Sequence, residues 1–243
     1  MFNNYADATY GENIAEVYDE WYAELDPQAI PTLAELAQGG CALELGIGTG
    51  RIALPLNQAG VEVQGIDASP AMVAKLRAKP GGEKIHVYHG NFADVAVKGQ
   101  FELIYIAFNT FFALTTQEEQ IRCFTNVASH LSPNGVFLVK AFVPDLTRYD
   151  RDQTVRVSVI EETAIRLETS QIDPAQQLIT SQTIHLSDKG IRMYPVQLRY
   201  AWPSELDLMA KLAGLSLHHR WGSWGMDAFD NQSDFHISVY GRS

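Results

Sequence analysis

Residues 42–51 read Ala42-Leu43-Glu44-Leu45-Gly46-Ile47-Gly48-Thr49-Gly50-Arg51, an apolar run that enters a glycine-rich turn and continues into a helical pattern. Glycine has no Cβ and tolerates positive φ, so such a turn can be sharp and can present backbone N–H groups at a helix N-terminus. About 20 residues on, a second apolar run ends Gly65-Ile66-Asp67, where an acidic side chain can grip ribose hydroxyls. Strand, turn, helix and acid in this order point to a nucleotide held at the C-terminal ends of parallel strands.

The flanking sequence extends the same architecture. CALELG, VEVQGID, KIHVYHG, FELIYIAF and GVFLVKAF are short apolar runs separated by helical segments, as expected of parallel strands buried on both faces. Gly60 stops the first intervening helix, and Ser69-Pro70 opens the next as N-cap and first-turn proline. Thr116 and Glu119 have capping-box spacing, and Ser132-Pro133-Asn134-Gly135 reads as the turn that closes that helix. Right-handed crossovers on such a series give a doubly wound α/β sheet. LSLHHRW and DFHISVYG bring the expected sheet to seven strands, after a helix begun at Pro203-Ser204 and ended by Gly214.

Upstream, Ile14, Val17, Tyr18, Trp21 and Tyr22 form one helical stripe and Ile30, Leu33 and Leu36 another, which predicts two helices before any strand. Residues 153–202 alternate apolar and polar in TVRVSVIEE, AIRLETSQI, LITSQTIHL and MYPVQLRY, with Asp173-Pro174 and Asp188-Lys189-Gly190 as turns. An antiparallel β insert is expected there, serving as a lid or a dimerisation element. The whole of 1–243 reads as one domain, with 1–38 a helical cover.

The composition limits the partners. Asp and Glu number 29 against 18 Lys and Arg, a net charge of -11, so the chain repels phosphate backbones and anionic lipids. No nucleic-acid or membrane partner is expected. The opening MFNNYADATYGEN lacks the basic-then-apolar order of a secretory leader, and a cytoplasmic protein is expected. Cys41 and Cys123 sit in apolar segments with no metal-ligand spacing and are expected to be reduced core residues; none of the seven histidines forms a metal-binding pattern. No metal is expected.

Two nucleotide classes fit the turn. The dinucleotide fingerprint is GxGxxG, whereas this chain has Gly46-Ile47-Gly48-Thr49-Gly50, with Glu44 two residues before the first glycine. The stretch from Glu44 to Gly50 resembles the first motif of class I S-adenosylmethionine-dependent methyltransferases, (Asp/Glu)-x-Gly-x-Gly-x-Gly, with every position filled. The resemblance covers roughly residues 10–142. It implies S-adenosylmethionine as cofactor and transfer of a methyl group to N or O of a small molecule. An NAD(P)-dependent oxidoreductase and a catalytically silent cofactor-binding protein are the alternatives.

The resemblance also implies roles. Glu44 and the Gly46 and Gly48 backbone face the methionine part, with Glu44 offsetting its ammonium, and Gly50 completes the cofactor-binding turn. Asp67 accepts from both ribose hydroxyls, and Ala68 and Met72 lie beside adenine. The family's Gly-Asp-(Phe/Met) motif appears as Gly90-Asn91-Phe92, so Asn91 takes the adenine amino group through its amide oxygen. Ala107, in Ala107-Phe108-Asn109, offers its carbonyl to the ammonium. TYGENIAEVYDEWY at 9–22 resembles the lid start of TDP-amino-sugar N,N-dimethyltransferases and is related to that of glycine N-methyltransferase-like enzymes, which implies that Tyr10 and Tyr18 close over the methyl end. Amino-sugar enzymes can carry a histidine after the fourth strand, where this chain has Ala113 in FNTFFALTT. Phe108, Phe111 and Phe112 in that loop suit either an apolar substrate or the core, and Arg148, Tyr149, Arg199, Trp221 and Trp224 are further candidates for pocket walls. A homodimer through the insert is a further expectation.

Overall fold

The computed structural model describes residue 2 and residues 5–242. Three helices come first: α1 (Thr9–Ile14), α2 (Tyr18–Trp21) and α3 (Ala29–Ala37). Then follow β1 (Cys41–Leu45), α4 (Ala53–Gln58), β2 (Glu62–Asp67), α5 (Pro70–Arg77), β3 (His86–His89), β4 (Phe101–Ile106), α6 (Gln117–His130) and β5 (Leu131–Phe142). The antiparallel strands β6 (Gln153–Ile160), β7 (Ala164–Asp173), β8 (Leu178–Ser187) and β9 (Gly190–Arg199) come next. The chain finishes with α7 (Pro203–Leu212), β10 (Leu215–Trp221) and β11 (Phe235–Arg242).

The main sheet has the order β10-β11-β5-β4-β1-β2-β3. Its first five strands are parallel, and β11 enters antiparallel between β5 and β10. From β1 the chain winds outward to β2 and β3 on one side and then to β4 and β5 on the other, so the direction of winding reverses between β1 and β4. Ligands of open α/β sheets sit in the crevice at such a reversal, at the strand C-termini. One apolar layer packs α6 and α7 on Leu43, Ile104, Phe137 and Val139; the other packs α3 and α4 on Ala42, Leu103, Leu138 and Val239.

The helix ends follow the local chemistry. The Ser69 hydroxyl accepts from Met72 N–H at 3.2 Å, with Pro70 in the first turn of α5. Thr116 and Glu119 close a reciprocal capping box at α6. Gly60 and Gly214 lie at φ +97° and +74° just past α4 and α7, a backbone region that β-carbons resist.

Three expectations need correction. The first stripe is two short helices, α1 ending at Ile14 and α2 beginning at Tyr18, and both pack between α5 and β9. Gly11 of α1 lies so close to α5 that a Cβ there would approach Ser69 Cβ to 2.5 Å, and Trp21 of α2 packs on β9 through Tyr194 at 4.9 Å. The turn at 132–135 falls inside β5, where pairing jumps from Leu131 with Phe101 to Val136 with Leu103. Cys41 is half-exposed at the start of β1; only Cys123 is buried, and both are free thiols.

The four-stranded sheet β6-β7-β8-β9 stands apart from the main sheet. Its inner face sets Ile172, Ile179 and Leu198 against the core and Tyr194 against the N-terminal helices. Among the described residues no helix is long and apolar enough to cross a membrane.

Candidate functional site

The glycine turn is locked in place by its neighbour strand. Gly46 N–H and Ile47 N–H both donate to the Ile66 carbonyl, at 2.8 and 3.0 Å. One step further, Gly48 N–H donates to Asp67 Oδ2 at 2.7 Å, while Ser69 N–H donates to Asp67 Oδ1 at 2.8 Å. The end of β2 therefore shapes the turn after β1, and the carboxylate is oriented before any ligand arrives. Burial raises the Asp67 pKa, and these backbone donors pull it back down. Gly48 lies at φ +55°, and a Cβ there would meet nothing within 4 Å, so this glycine keeps open space above the turn.

That space is a cavity lined by Gly46, Gly48, Asp67, Ala68, Met72, Asn91 and Phe92 from the sheet side. Tyr5, Asp7, Tyr10 and Tyr18 close it from the N-terminal side. A smaller cavity shares Tyr18, Gly46, Gly48 and Thr110 with it and continues past Glu44 to Arg51, Ala107 and Phe108. The elongated shape suits a nucleoside with a polar tail.

Glu44 sits at the base of the tail region, 5% exposed, and accepts a 3.0 Å hydrogen bond from the Tyr105 hydroxyl. None of the ion pairs among the described residues includes it. Burial pushes its pKa up to about 8, against the pull of the Tyr105 bond and of Arg51. A buried carboxyl that no cation contacts directly fits a ligand that brings an ammonium group, and the residues present thus fit the adenosyl sulfonium cofactor.

The N-terminal helices are fastened along the mouth by four carboxylates. Asp7 accepts from Asn91 Nδ2 at 2.9 Å, and Glu12 accepts from the Ser69 hydroxyl at 2.7 Å and Ala71 N–H at 3.0 Å. Glu16 pairs with Lys75 at 2.8 Å, and Asp19 with Lys79 at 2.7 Å. Asp19 also accepts from Thr49 Oγ1, in the glycine turn itself, at 2.6 Å. Trp21 is gripped from the other side, with the Arg166 guanidinium 3.7 Å from its ring centre and His185 stacked at 5.6 Å. Burial pushes the Tyr18 pKa up to about 12 and raises that of Tyr10 well above its ordinary value. Both are neutral phenols at physiological pH.

The structure gathers nearly every candidate residue at these two cavities. Gly50 is the exception. It lines neither, and a Cβ there would run into the Leu76 side chain, so this glycine serves the packing of the turn on α5. The Asn91 oxygen already accepts from Ala93 N–H at 2.8 Å, in a turn of the kind asparagine forms locally. In the loop after β4, Phe111 and Phe112 are fully buried core residues. Phe108 is half-buried, at the strained φ of +59°, with the Arg51 guanidinium 4.1 Å from its ring centre. Arg148 and Tyr149 line a separate cavity of about 400 Å³ beneath the insert. Arg199 is buried in an ion pair with Glu205 at 2.8 Å, which makes it structural. Trp221 stacks on His219, and Trp224 is buried. Among the described residues no three His, Cys, Asp or Glu side chains stand together as a metal site would require.

Tyr5, Asp7, Thr110, Arg51 and Lys140 were not singled out from sequence. Arg51 carried a weak signal, directly after the last glycine; the others are brought in by the fold.

The sheet order, the glycine turn joined to Asp67, and the uncompensated carboxyl of Glu44 define a nucleotide-dependent group-transfer site. This chain belongs to the S-adenosylmethionine-dependent methyltransferases. A family described as a methyltransferase domain matches residues 42–135. The structure of the CcbJ methyltransferase from Streptomyces caelestis is 40% identical, spans 98% of this chain and 100% of that one, and superposes with a TM-score of 0.92. The cypemycin N-terminal methyltransferase of a Streptomyces species is 27% identical over 232 residues, 93% of this chain and 94% of the relative. The S-adenosylmethionine-bound structure of CalS10, an amino pentose methyltransferase from Micromonospora echinaspora, shares the fold, with 19% identity, full coverage of both chains and a TM-score of 0.70.

Proposed function

We propose that this methyltransferase acts on an amine nitrogen of a small molecule. Transfer from a sulfonium is an in-line displacement in which positive charge disperses, so the protein supplies alignment and excludes water. An amine needs only to arrive deprotonated, whereas a hydroxyl needs a base beside it. The single observation that carries the choice is the state of Tyr10 and Tyr18. Both border the cavity, and burial holds both phenols neutral, so they can orient a nucleophile as donors or acceptors but cannot take its proton. CalS10 is an amino pentose methyltransferase and the cypemycin relative an N-terminal methyltransferase, which agrees with an amine acceptor.

In this reading Glu44 and the Ala107 carbonyl receive the cofactor's ammonium, and Asp67 receives the ribose hydroxyls. Ala68, Met72, Phe92 and Asn91 border the adenine. Residues 1–38 act as a lid. The insert at 153–202 holds that lid through Trp21 and also offers a surface to a second copy of the chain. The face opposite Arg156 and Glu168 carries Val155, Val157, Ile165, Leu167, Ile184 and Met193; Val155 is 69% and Met193 56% exposed. Over residues 153–160, 165–171 and 180–186 that face carries no ionisable side chain, and Asp173 stands only at its edge, at the end of β7, so a chain of net charge -11 can meet its own copy there with little repulsion. Light scattering tests this: a dimer is expected, and Val155→Glu with Met193→Glu should yield monomer.

The amine assignment is tested by following labelled methyl from S-adenosylmethionine into matched ring compounds that differ only in bearing an amine or a hydroxyl. Labelled N-methyl product is expected. Transfer to the hydroxyl series alone would reverse the assignment.

A further inference from the structure

Lys140, near the C-terminal end of β5, lines neither cofactor cavity and joins no ion pair among the described residues, yet its ammonium is packed against aromatic rings of the protein. Leu138, two residues earlier on β5, belongs to the apolar layer under α3 and α4. The Lys140 ammonium lies 4.1 Å from the Phe235 ring centre and 5.4 Å from that of Phe108. Phe108 is also the ring over which Arg51 lies at 4.1 Å, so one strained aromatic residue has two cations near its ring.

These groups wall a cavity of about 180 Å³, completed by Trp224 and rimmed by Glu24 and Asp26. The cavity shares Arg51, Ile52, Ala107 and Phe108 with the tail end of the cofactor site, so the two adjoin at that wall. Arg51 is itself aimed by hydrogen bonds from its Nη1 to the Tyr22 carbonyl at 3.3 Å and the Glu24 carbonyl at 2.9 Å. Aromatic faces attract a cation but offer it no lone pair. The ammonium therefore retains donors facing a partly desolvated space, where pairing with an anion is worth more than in water.

We propose that Lys140 and Arg51 form a carboxylate subsite beside the methyl-transfer centre. It rests on the reading that Glu44 and Ala107 take the cofactor's ammonium, which leaves the carboxylate of the same amino acid without a partner. A carboxylate reaches this cavity from two sources, the cofactor's own tail or an acid group on the methyl acceptor. The surrounding charges agree with an anion-dependent role. Burial, then Arg51, hold the Lys140 pKa down to about 8, with Asp26 opposing them, and buried His236 behind it is pushed down to about 3 and stays neutral. An incoming carboxylate would keep Lys140 charged.

The test uses wild type, Lys140→Met and Lys140→Arg with S-adenosylhomocysteine and its analogue in which hydrogen replaces the carboxylate. If the cofactor's tail is the ligand, wild type prefers the carboxylated compound by about tenfold or more. Lys140→Met then erases most of that preference while binding the decarboxylated analogue as wild type does, and Lys140→Arg keeps it. The wild-type preference also declines as pH rises through 8, and in Lys140→Arg it does not. If the acceptor's acid is the ligand, the cofactor preference is unchanged in Lys140→Met, but the kcat/KM advantage of amino acids over their methyl esters seen in wild type disappears. Preferences unchanged by Lys140→Met in both series overturn the subsite. Failure of wild type to bind either nucleoside would instead bring down the cofactor reading, and this proposal with it.

Discussion

Asp67 Oδ2 accepts a 2.7 Å hydrogen bond from Gly48 N–H, which joins the end of β2 to the glycine turn after β1. The acid proposed to hold ribose and the turn proposed to hold the methionine tail are thereby one rigid unit, set by Ile66 and Ser69 on either side. Pre-orientation of this kind lowers the ordering cost of binding.

Glu44 makes cofactor binding proton-linked. Its pKa stands near 8 in the free protein, against about 4.3 for an ordinary glutamate, so the folded chain holds a proton between those values that the unfolded chain does not. Stability should fall as pH rises from about 4.5 through 8, by roughly a few kcal/mol over the span. Glu44→Gln should flatten that dependence. When an ammonium arrives the carboxyl should ionise, so calorimetry at pH 7 in buffers of different ionisation enthalpy should find up to about one proton released by wild type. Glu44→Gln should release none.

Two glycines of the same turn should fail differently. Gly48→Ala forces a β-carbon to φ +55° and projects it into the open cavity, so cofactor affinity should drop more than tenfold for a stability loss of about 1 kcal/mol. Gly50→Ala drives its Cβ against Leu76 and should cost stability first. Thermal melts and titrations on both variants separate the cases.

Arg199 should matter for folding. Its Nη1 donates to Gln120 at 2.6 Å and its Nη2 to Gln177 at 2.9 Å and Glu205 at 2.8 Å, all of it buried or nearly so. Arg199→Met strands the Glu205 carboxylate and should cost about 3–5 kcal/mol in urea unfolding. Glu205, whose pKa is held below the ordinary value against burial by hydrogen bonds from Gln177, Arg199 and Gln117, should move upward.

Trp21 ties the N-terminal helices to the insert through Arg166, His185 and Tyr194. Trp21→Ala should remove about 1–3 kcal/mol of that docking. Hydrogen exchange over residues 5–22 should quicken, and S-adenosylhomocysteine should dissociate faster, with the main-sheet amides unaffected.

The frame of the fold was legible because its signals are local. The glycine turn, the Ser69 cap, the Thr116 box and the alternating strands of the insert each declare themselves within a few residues. What was not legible depends on distant parts meeting. Gly50 reads as a ligand glycine until Leu76 is placed against it, and Phe111 and Phe112 read equally as pocket or core until the fold buries them. The N-terminal stripe looks like one helix, but it breaks between Ile14 and Tyr18 where both pieces pack between α5 and β9. Lys140 looked like an ordinary strand residue, because Phe235, Phe108 and Arg51 come to it from three other segments.

The most direct measurement is a calorimetric titration of S-adenosylhomocysteine into wild type and Asp67→Ala. Wild type should bind one equivalent, and loss of a charged acceptor for two ribose hydroxyls should weaken binding by at least tenfold, with the fold retained by circular dichroism. Equal affinities in the two proteins, or no heat from wild type, would contradict the proposed joint hold of the glycine turn and Asp67 on the cofactor.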